Sequence, residues 1–150
     1  MLTATKVFQF DCAHMLSGHL GLCQNLHGHT YKLEVEAISA EPTAVISEGP
    51  SAGMVEDFSD LKAIVKEHIV DVFDHAFIFN QGSPDMCEVQ IADTLRAYGK
   101  KVVNFPVRPT AEQMAIAFLN TLAVETQRKT YQVVRVRVWE TPTSYAEVII

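Results

Sequence analysis

Apolar and polar residues alternate in two runs near the start of the chain, and the same period returns near its end. Between Thr5 and His14, the residues Phe8, Phe10, Cys12 and His14 share one parity. From His27 onward, His27, His29, Tyr31, Leu33, Val35 and Ala37 fall on one side, with Lys32, Glu34 and Glu36 on the other. Strand side chains point alternately to opposite faces, so both runs predict half-buried strands whose histidines face the way the apolar residues face. A third run, VVRVRVWE, sets Val134, Val136 and Val138 against Arg135, Arg137 and Trp139. Helical spacing lies between these runs. After DFSDL, the stripe Leu61, Ile64, Val65, Val72 and Phe73 predicts a helix ending at Asp74 and His75. A shorter helix is expected over about 88–98, stopped by Gly99. Another starts in RPTAEQMA, where Thr110 and Gln113 form a capping box and Met114, Phe118 and Leu122 an apolar face. The stretch SAEPTAVISEGPSAG is turn-rich and is expected to hold a hairpin loop leading into Met54 and Val55. The order strand pair, helix, helix, strand pair predicts an α+β domain.

Composition narrows the picture. A chain of 150 residues with 48% hydrophobic content suits one domain with a real core, spanning 1–150. A net charge of −6 argues against a nucleic-acid or acidic-membrane surface, which needs a basic stripe. The opening MLTATKVFQF has no secretory pattern and no run reaches membrane-spanning length, so a cytoplasmic protein is expected. Three irregularly spaced cysteines do not make a disulfide framework.

The chemistry concentrates in CQNLHGH. If the first two strands pair, His14, His27 and His29 bring three imidazoles to one apolar face. Three neutral nitrogen ligands and one free position are what a tetrahedral zinc (Zn2+) site needs. Cys23 has two readings: a fourth ligand closing a structural site, or a thiol that a neighbouring cation turns into a usable base or nucleophile. Cys12 and Cys87 read as core or incidental residues. Asp74 and His75 pair an acid with an imidazole at a helix end, which suits either a proton shuttle or a plain helix terminus. His19 reads as loop and His68, on a helix face, as packing or surface. Glu140 has the parity of the valines, a costly place for a carboxylate unless something donates to it, and the other reading ends the strand at Trp139 and turns Glu140 into solvent.

The segments FDCAH, CQNLHGH, VEDFSDLK, FDH, PTAEQMA and VWET, in this order and spanning nearly the whole chain, resemble the family of 6-pyruvoyl-tetrahydropterin and 6-carboxytetrahydropterin synthases. The resemblance implies the tunnelling fold (T-fold): a four-stranded antiparallel sheet with two helices on one side, three subunits joining sheets into a barrel, and two trimers forming a homohexamer with active sites at subunit interfaces. It implies zinc on His14, His27 and His29, Cys23 as catalytic thiol, Asp74 and His75 as proton relay, and Glu140 as pterin anchor, with Thr110 and Glu112 in the pterin pocket. The implied substrate is 7,8-dihydroneopterin triphosphate. The three residues between Cys23 and His27 resemble the bacterial carboxy-forming branch of queuosine and deazapurine synthesis, which also releases acetaldehyde. Extra residues near 39–53 and 81–105 depart from the shortest bacterial members. Lys100, Lys101 and Arg108 are available for the triphosphate, and their spacing selects none of them.

Two other readings compete with the zinc-dependent pterin lyase. A zinc-stapled binding module would use Cys23 as fourth ligand and leave Asp74, His75, Glu112 and Glu140 without a common purpose. Metal-hydroxide hydrolysis would use the histidines and leave Cys23 idle.

Overall fold

The computed structural model describes residues 1–41 and 43–150. Pro42, inside the stretch expected to hold a hairpin loop, lies outside them; elsewhere in that stretch Ile46 exchanges backbone hydrogen bonds with Gly53 and Met54, both 2.8 Å.

Strands β1 (Ala4–His14) and β2 (His27–Ser39) pair antiparallel, as their alternation predicts. Helix α1 (Phe58–Val65) starts at Asp57, whose carboxylate accepts from the Ser59 amide at 2.8 Å. It continues through a wide π-helical turn (Lys66–Val70) into α2 (Asp71–Phe73). Then follow β3 (Ala76–Asn80), α3 (Met86–Ala97), β4 (Val102–Phe105), α4 (Ala111–Thr126), β5 (Tyr131–Thr141) and β6 (Ser144–Ile149). The Thr110 hydroxyl accepts from the Gln113 amide at 3.3 Å and caps α4, as its sequence predicts.

The expected four antiparallel strands are in fact six, in the order β4-β3-β1-β2-β5-β6. The sheet is also mixed, because β3 runs parallel to both β1 and β4. The expected pair of helices on one side is joined by a third element. The helices α1, α2 and α4 cover one face, where Leu61, Val65, Ile69, Phe73, Met114, Phe118 and Leu122 meet Phe10, Tyr31, Leu33, Val35, Val136 and Val138. Along β3 the side chains alternate: Ile78 enters this core, while Phe77 and Phe79 join a second cluster with Met15 and Ala92 of α3. Helix α3 therefore packs on the other face, at the β3–β4 edge. Truncating Phe118, which meets the Phe73 ring edge-on at 4.9 Å and is 1% exposed, would cost about 3–5 kcal/mol.

Two of the predicted stripes are broken by local geometry. The π-helical turn rotates the helix, so Ile69 and Val70 are buried while Val72 is 38% exposed. A bulge between β2 and β5 at Glu36 and Ala37 moves Val134 off the core face; Tyr131 and Val133 face the core before it, Val136 and Val138 after it. Over the rest of β2 and β5 the non-core face carries a charge ladder, with Arg137 bound to Glu147 at 2.7 Å and to Glu34 at 3.2 Å, and Lys32 to Glu34 at 2.8 Å. No helix of the described residues is long and apolar enough to cross a membrane.

Candidate active site

Pairing of β1 and β2 sets His14 directly opposite His27 and Cys12 opposite His29. The alternation within β2 then turns the His27 and His29 rings to the side of His14. Gly28, between them, is constrained by the same approach: a Cβ there would meet the Cys12 carbonyl oxygen at 3.1 Å. The three rings lie 4.6, 4.9 and 5.2 Å apart, centre to centre, with one nitrogen of each converging within 4.8 Å.

Hydrogen bonds settle which nitrogens converge. His14 Nδ1 lies 2.8 Å from the Pro109 carbonyl and His27 Nδ1 lies 2.7 Å from the Asn25 carbonyl. A carbonyl only accepts, so both Nδ1 atoms carry protons and both Nε2 atoms present lone pairs. Those two Nε2 atoms face each other at 3.1 Å with no proton to share. His29 Nε2 is buried without a hydrogen-bond partner and stands 3.6 Å from Glu140 Oε1. Two inward-facing lone pairs, one on a fully buried ring, beside a third imidazole nitrogen without a hydrogen-bond partner, are an arrangement that a cation relieves. The spacing suits one, since two nitrogens on a tetrahedral metal at about 2.0–2.1 Å are separated by about 3.3 Å. Burial, reinforced by repulsion from His27 and His29, pulls the His14 imidazole down to about 4, so it is neutral at pH 7 as a ligand must be. Burial also lowers His29, although Glu140 opposes this.

Cys23 lies in a short 3-10 turn, Leu22–Gln24, and is half-buried. Its carbonyl accepts from the Leu16 amide at 2.9 Å, closing the loop between β1 and β2. It does not join the convergent group of donor atoms. Instead it lines a cavity of about 330 Å³ together with His19, Arg108, Thr110, Glu112 and Glu140. Strand β5 runs on to Thr141, so Glu140 does not turn away after Trp139; it borders both this cavity and His29.

Asp74 and His75 occupy a different place. Asp74 follows α2, and its Oδ1 accepts from the Asp11 amide at 2.9 Å while its Oδ2 faces His75 Nδ1 at 2.9 Å. The Asp11 amide first, then His75 and Lys101, hold the Asp74 carboxyl below the usual carboxylate range. His75 has a left-handed backbone, φ 58°, fixed by donation from its amide to the Asp11 carbonyl at 2.6 Å. Asp11, Asp74 and His75 form their own group, on the face of β1 opposite Cys12 and His14. Lys101 donates to the Asp71 and Asp74 carbonyls, both at 2.7 Å, and so caps the helix end. His75, Lys100 and Lys101 line a groove of about 720 Å³ that His29 also borders and that lacks Cys23.

Thus the chain brings His14, His27 and His29 together and sets Cys23, Thr110, Glu112 and Glu140 around an adjoining cavity, but it does not bring Asp74 and His75 to that cavity. Sequence reasoning missed the orienting carbonyls of Asn25 and Pro109, which leave no side-chain signal, and it missed that Arg108 and His19 share the wall with Cys23.

Residues 3–149 match the model of the 6-pyruvoyl tetrahydropterin synthase family. The chain is 47% identical to a 6-carboxy-5,6,7,8-tetrahydropterin synthase of Haemophilus influenzae, over 98% of each chain. It is 33% identical to a protein of the same name from Rickettsia bellii, over 99% of this chain and 100% of the other. A Caenorhabditis elegans 6-pyruvoyl tetrahydropterin synthase has a similar fold, with a TM-score of 0.67 at 22% identity over 99% and 95% of the two chains. With its family model matched from end to end and its sheet and helices arranged as a T-fold, the chain belongs to the 6-pyruvoyl tetrahydropterin synthase family of enzymes.

Proposed function

We propose that this enzyme is a zinc-dependent 6-carboxy-5,6,7,8-tetrahydropterin synthase that converts 7,8-dihydroneopterin triphosphate and one water to 6-carboxytetrahydropterin, triphosphate and acetaldehyde. The near-full-length similarity to the Haemophilus synthase supports the carboxy product over the pyruvoyl one. The observation that carries the reading is the donor set: three convergent imidazole nitrogens, two with Nδ1 protons already given to carbonyls, beside a thiol that stays outside the group. The product would enter queuosine and other 7-deazapurine synthesis in the cytoplasm, where the three free thiols suit a reducing milieu.

His14, His27 and His29 hold the zinc, and the Pro109 and Asn25 carbonyls fix the orientation of the first two rings. When bound, the ion supplies Lewis acidity toward the oxygens of the substrate side chain and toward protons on the adjoining carbons. Cys23, on the cavity wall, exchanges a proton with a side-chain carbon as its thiolate. Glu140 accepts from the ring N–H and exocyclic amino group of the pterin, a paired donor edge that one carboxylate matches, and Thr110 and Glu112 flank it. Arg108, in the same cavity and without an ionic partner among the described residues, is placed to meet the triphosphate, whereas Lys101 is committed to helix carbonyls.

Asp74 orients His75 for the opposing proton transfer, and a second subunit supplies this dyad, in the trimer-paired hexamer that the family resemblance implies. Two features support a shared site. The dyad's donor atoms form a group separate from the three imidazoles, and neither of its residues lines the cavity that holds Cys23. The loop bearing Cys23 also exposes Leu20 at 99%, Leu22 at 87% and Leu26 at 51%, a patch that a neighbouring copy would cover.

Anaerobic incubation of zinc-loaded protein with 7,8-dihydroneopterin triphosphate, followed by mass analysis of the pterin and an acetaldehyde assay, tests the proposal. A carboxylated tetrahydropterin with acetaldehyde is expected. A pyruvoyl product without acetaldehyde would overturn the carboxy assignment, and no turnover by folded, metal-loaded protein would overturn the enzymatic reading.

A further inference from the structure

Glu88 is a fully buried carboxylate with no task in the chemistry proposed above. It sits in the first turn of α3, inside the extra segment near 81–105, on the sheet face opposite the histidines. The third helical position after a cap such as Asp85 often turns back to the cap's own amide. Here the Asp85 amide is taken by the Ser83 hydroxyl at 3.2 Å, and Glu88 reaches elsewhere. One oxygen accepts from the Ser17 hydroxyl at 2.6 Å, the other from the Asn80 amide at 3.1 Å. No lysine or arginine pairs with it among the described residues. A buried carboxylate without a cationic side chain beside it is held by its hydrogen bonds and by the helix N-terminus, so both contacts matter energetically.

Ser17 is the point of interest, because it opens the loop that carries Cys23. Leu16, the residue before it, donates its amide to the Cys23 carbonyl at 2.9 Å. Gly18, the residue after it, takes φ 86°, a turn that a side chain would strain. Met15 packs with Phe77, Phe79 and Ala92 in the small core under α3. The root of the loop is thus clamped to α3 twice, by Met15 through apolar contact and by Ser17 through Glu88, while the bond from Leu16 passes that constraint to the turn holding Cys23.

We propose that Glu88 is a positioning residue: through Ser17 it fixes the loop that places the Cys23 thiol in its cavity, and this is a role of the extra helical segment. The proposal rests on the reading of Cys23 as the proton-transfer group only for its kinetic consequence; the placement of the thiol is measured separately. A misplacement of about 1 Å at a reacting group is enough to lower turnover about a hundredfold.

The test uses the full-length, zinc-loaded enzyme in a Cys87→Ser background, which removes the exposed thiol next to Glu88. Alkylation of Cys23 by iodoacetamide is followed by site-resolved mass analysis across pH, beside Tm, zinc content, kcat and KM. For Glu88→Gln the expected result is folded, zinc-replete protein whose Cys23 alkylation rate changes about tenfold or more and whose kcat falls with KM nearly constant. Ser17→Ala, which leaves the carboxylate in place, is expected to move both in the same direction by less, and Glu88→Asp to restore neither fully. Cys23 alkylation and kcat at the parental values in folded Glu88→Gln and Ser17→Ala proteins would overturn the proposal. If instead Cys23→Ala keeps turnover, the catalytic reading of the thiol fails while the alkylation data still decide the positioning role.

Discussion

His14 is completely buried, its ring fixed by the Pro109 carbonyl and crossed by two further imidazoles, whereas the His75 side chain is 77% exposed and held by Asp74 alone. The first cluster is built from paired strands, so its geometry is set wherever β1 and β2 pair. The second stands on a left-handed residue between a helix end and a strand, anchored by the backbone of Asp11. One chain therefore carries three converged imidazoles that could hold a metal ion and, in a separate group, what we read as half of a proton relay. The difference is that the histidine cluster is enclosed by the chain's own residues, whereas the dyad stands open at the surface, as the proposed sharing between subunits requires.

The sharpest way to divide the two regions is to remove the sulfur of Cys23. Cys23→Ala is expected to lower kcat about a thousandfold while zinc stays near one equivalent per chain, because the thiol lies outside the converging nitrogens. His27→Ala should instead lose the metal and the activity together, measured by elemental analysis beside turnover. Zinc leaving with the sulfur would move Cys23 into the ligand set and break the comparison.

A second consequence concerns pH. His14 titrates near 4 in the folded chain against about 6.5 when unfolded, so the unfolded state binds more protons between those values. Metal-free protein should hold its full stability above about pH 6.5 and lose on the order of 3 kcal/mol as pH falls toward 4. Denaturant melts of the stripped protein check this. His14→Gln should flatten the curve, since no imidazole would remain at that position to protonate. Asp74, held low by the Asp11 amide, adds a loss at still lower pH in the same direction.

Smaller effects probe the edges of each region. Glu140→Gln should weaken binding of an oxidised pterin by about tenfold to thirtyfold without unloading metal, the loss of one charge-assisted contact. Unchanged affinity would remove Glu140 from the pterin and leave it beside His29. Lys101→Met should cost about 1 kcal/mol by uncapping the carbonyls of Asp71 and Asp74, read as a shift in Tm.

The alternation of FQFDCAH and HGHTYKLEVEA is enough to put each strand's histidines on its apolar face, and their convergence follows once β1 and β2 pair with His14 opposite His27. The capping residues of α4 are equally local. Strands β3 and β4 escaped the same reasoning. AFIFN is buried on both faces and shows no alternation, and VVNF is too short to have a period. Val72 and Val134 were displaced by a π-helical turn and a bulge, which insert residues without marking the sequence. The separation of Asp74 and His75 from Cys23 was not legible at all, since adjacency to a helix end says nothing about which sheet face a side chain takes.

Subunit mixing tests the shared site most directly. Cys23→Ala and His75→Ala proteins, each inactive and each zinc-loaded, are dissociated, combined in equal amounts and reassembled. If the thiol and the dyad of one site come from different subunits, random assembly restores about a quarter of wild-type sites, and turnover returns to that level. A mixture as inactive as its components, with reassembly verified by mass, would contradict a site divided between two chains.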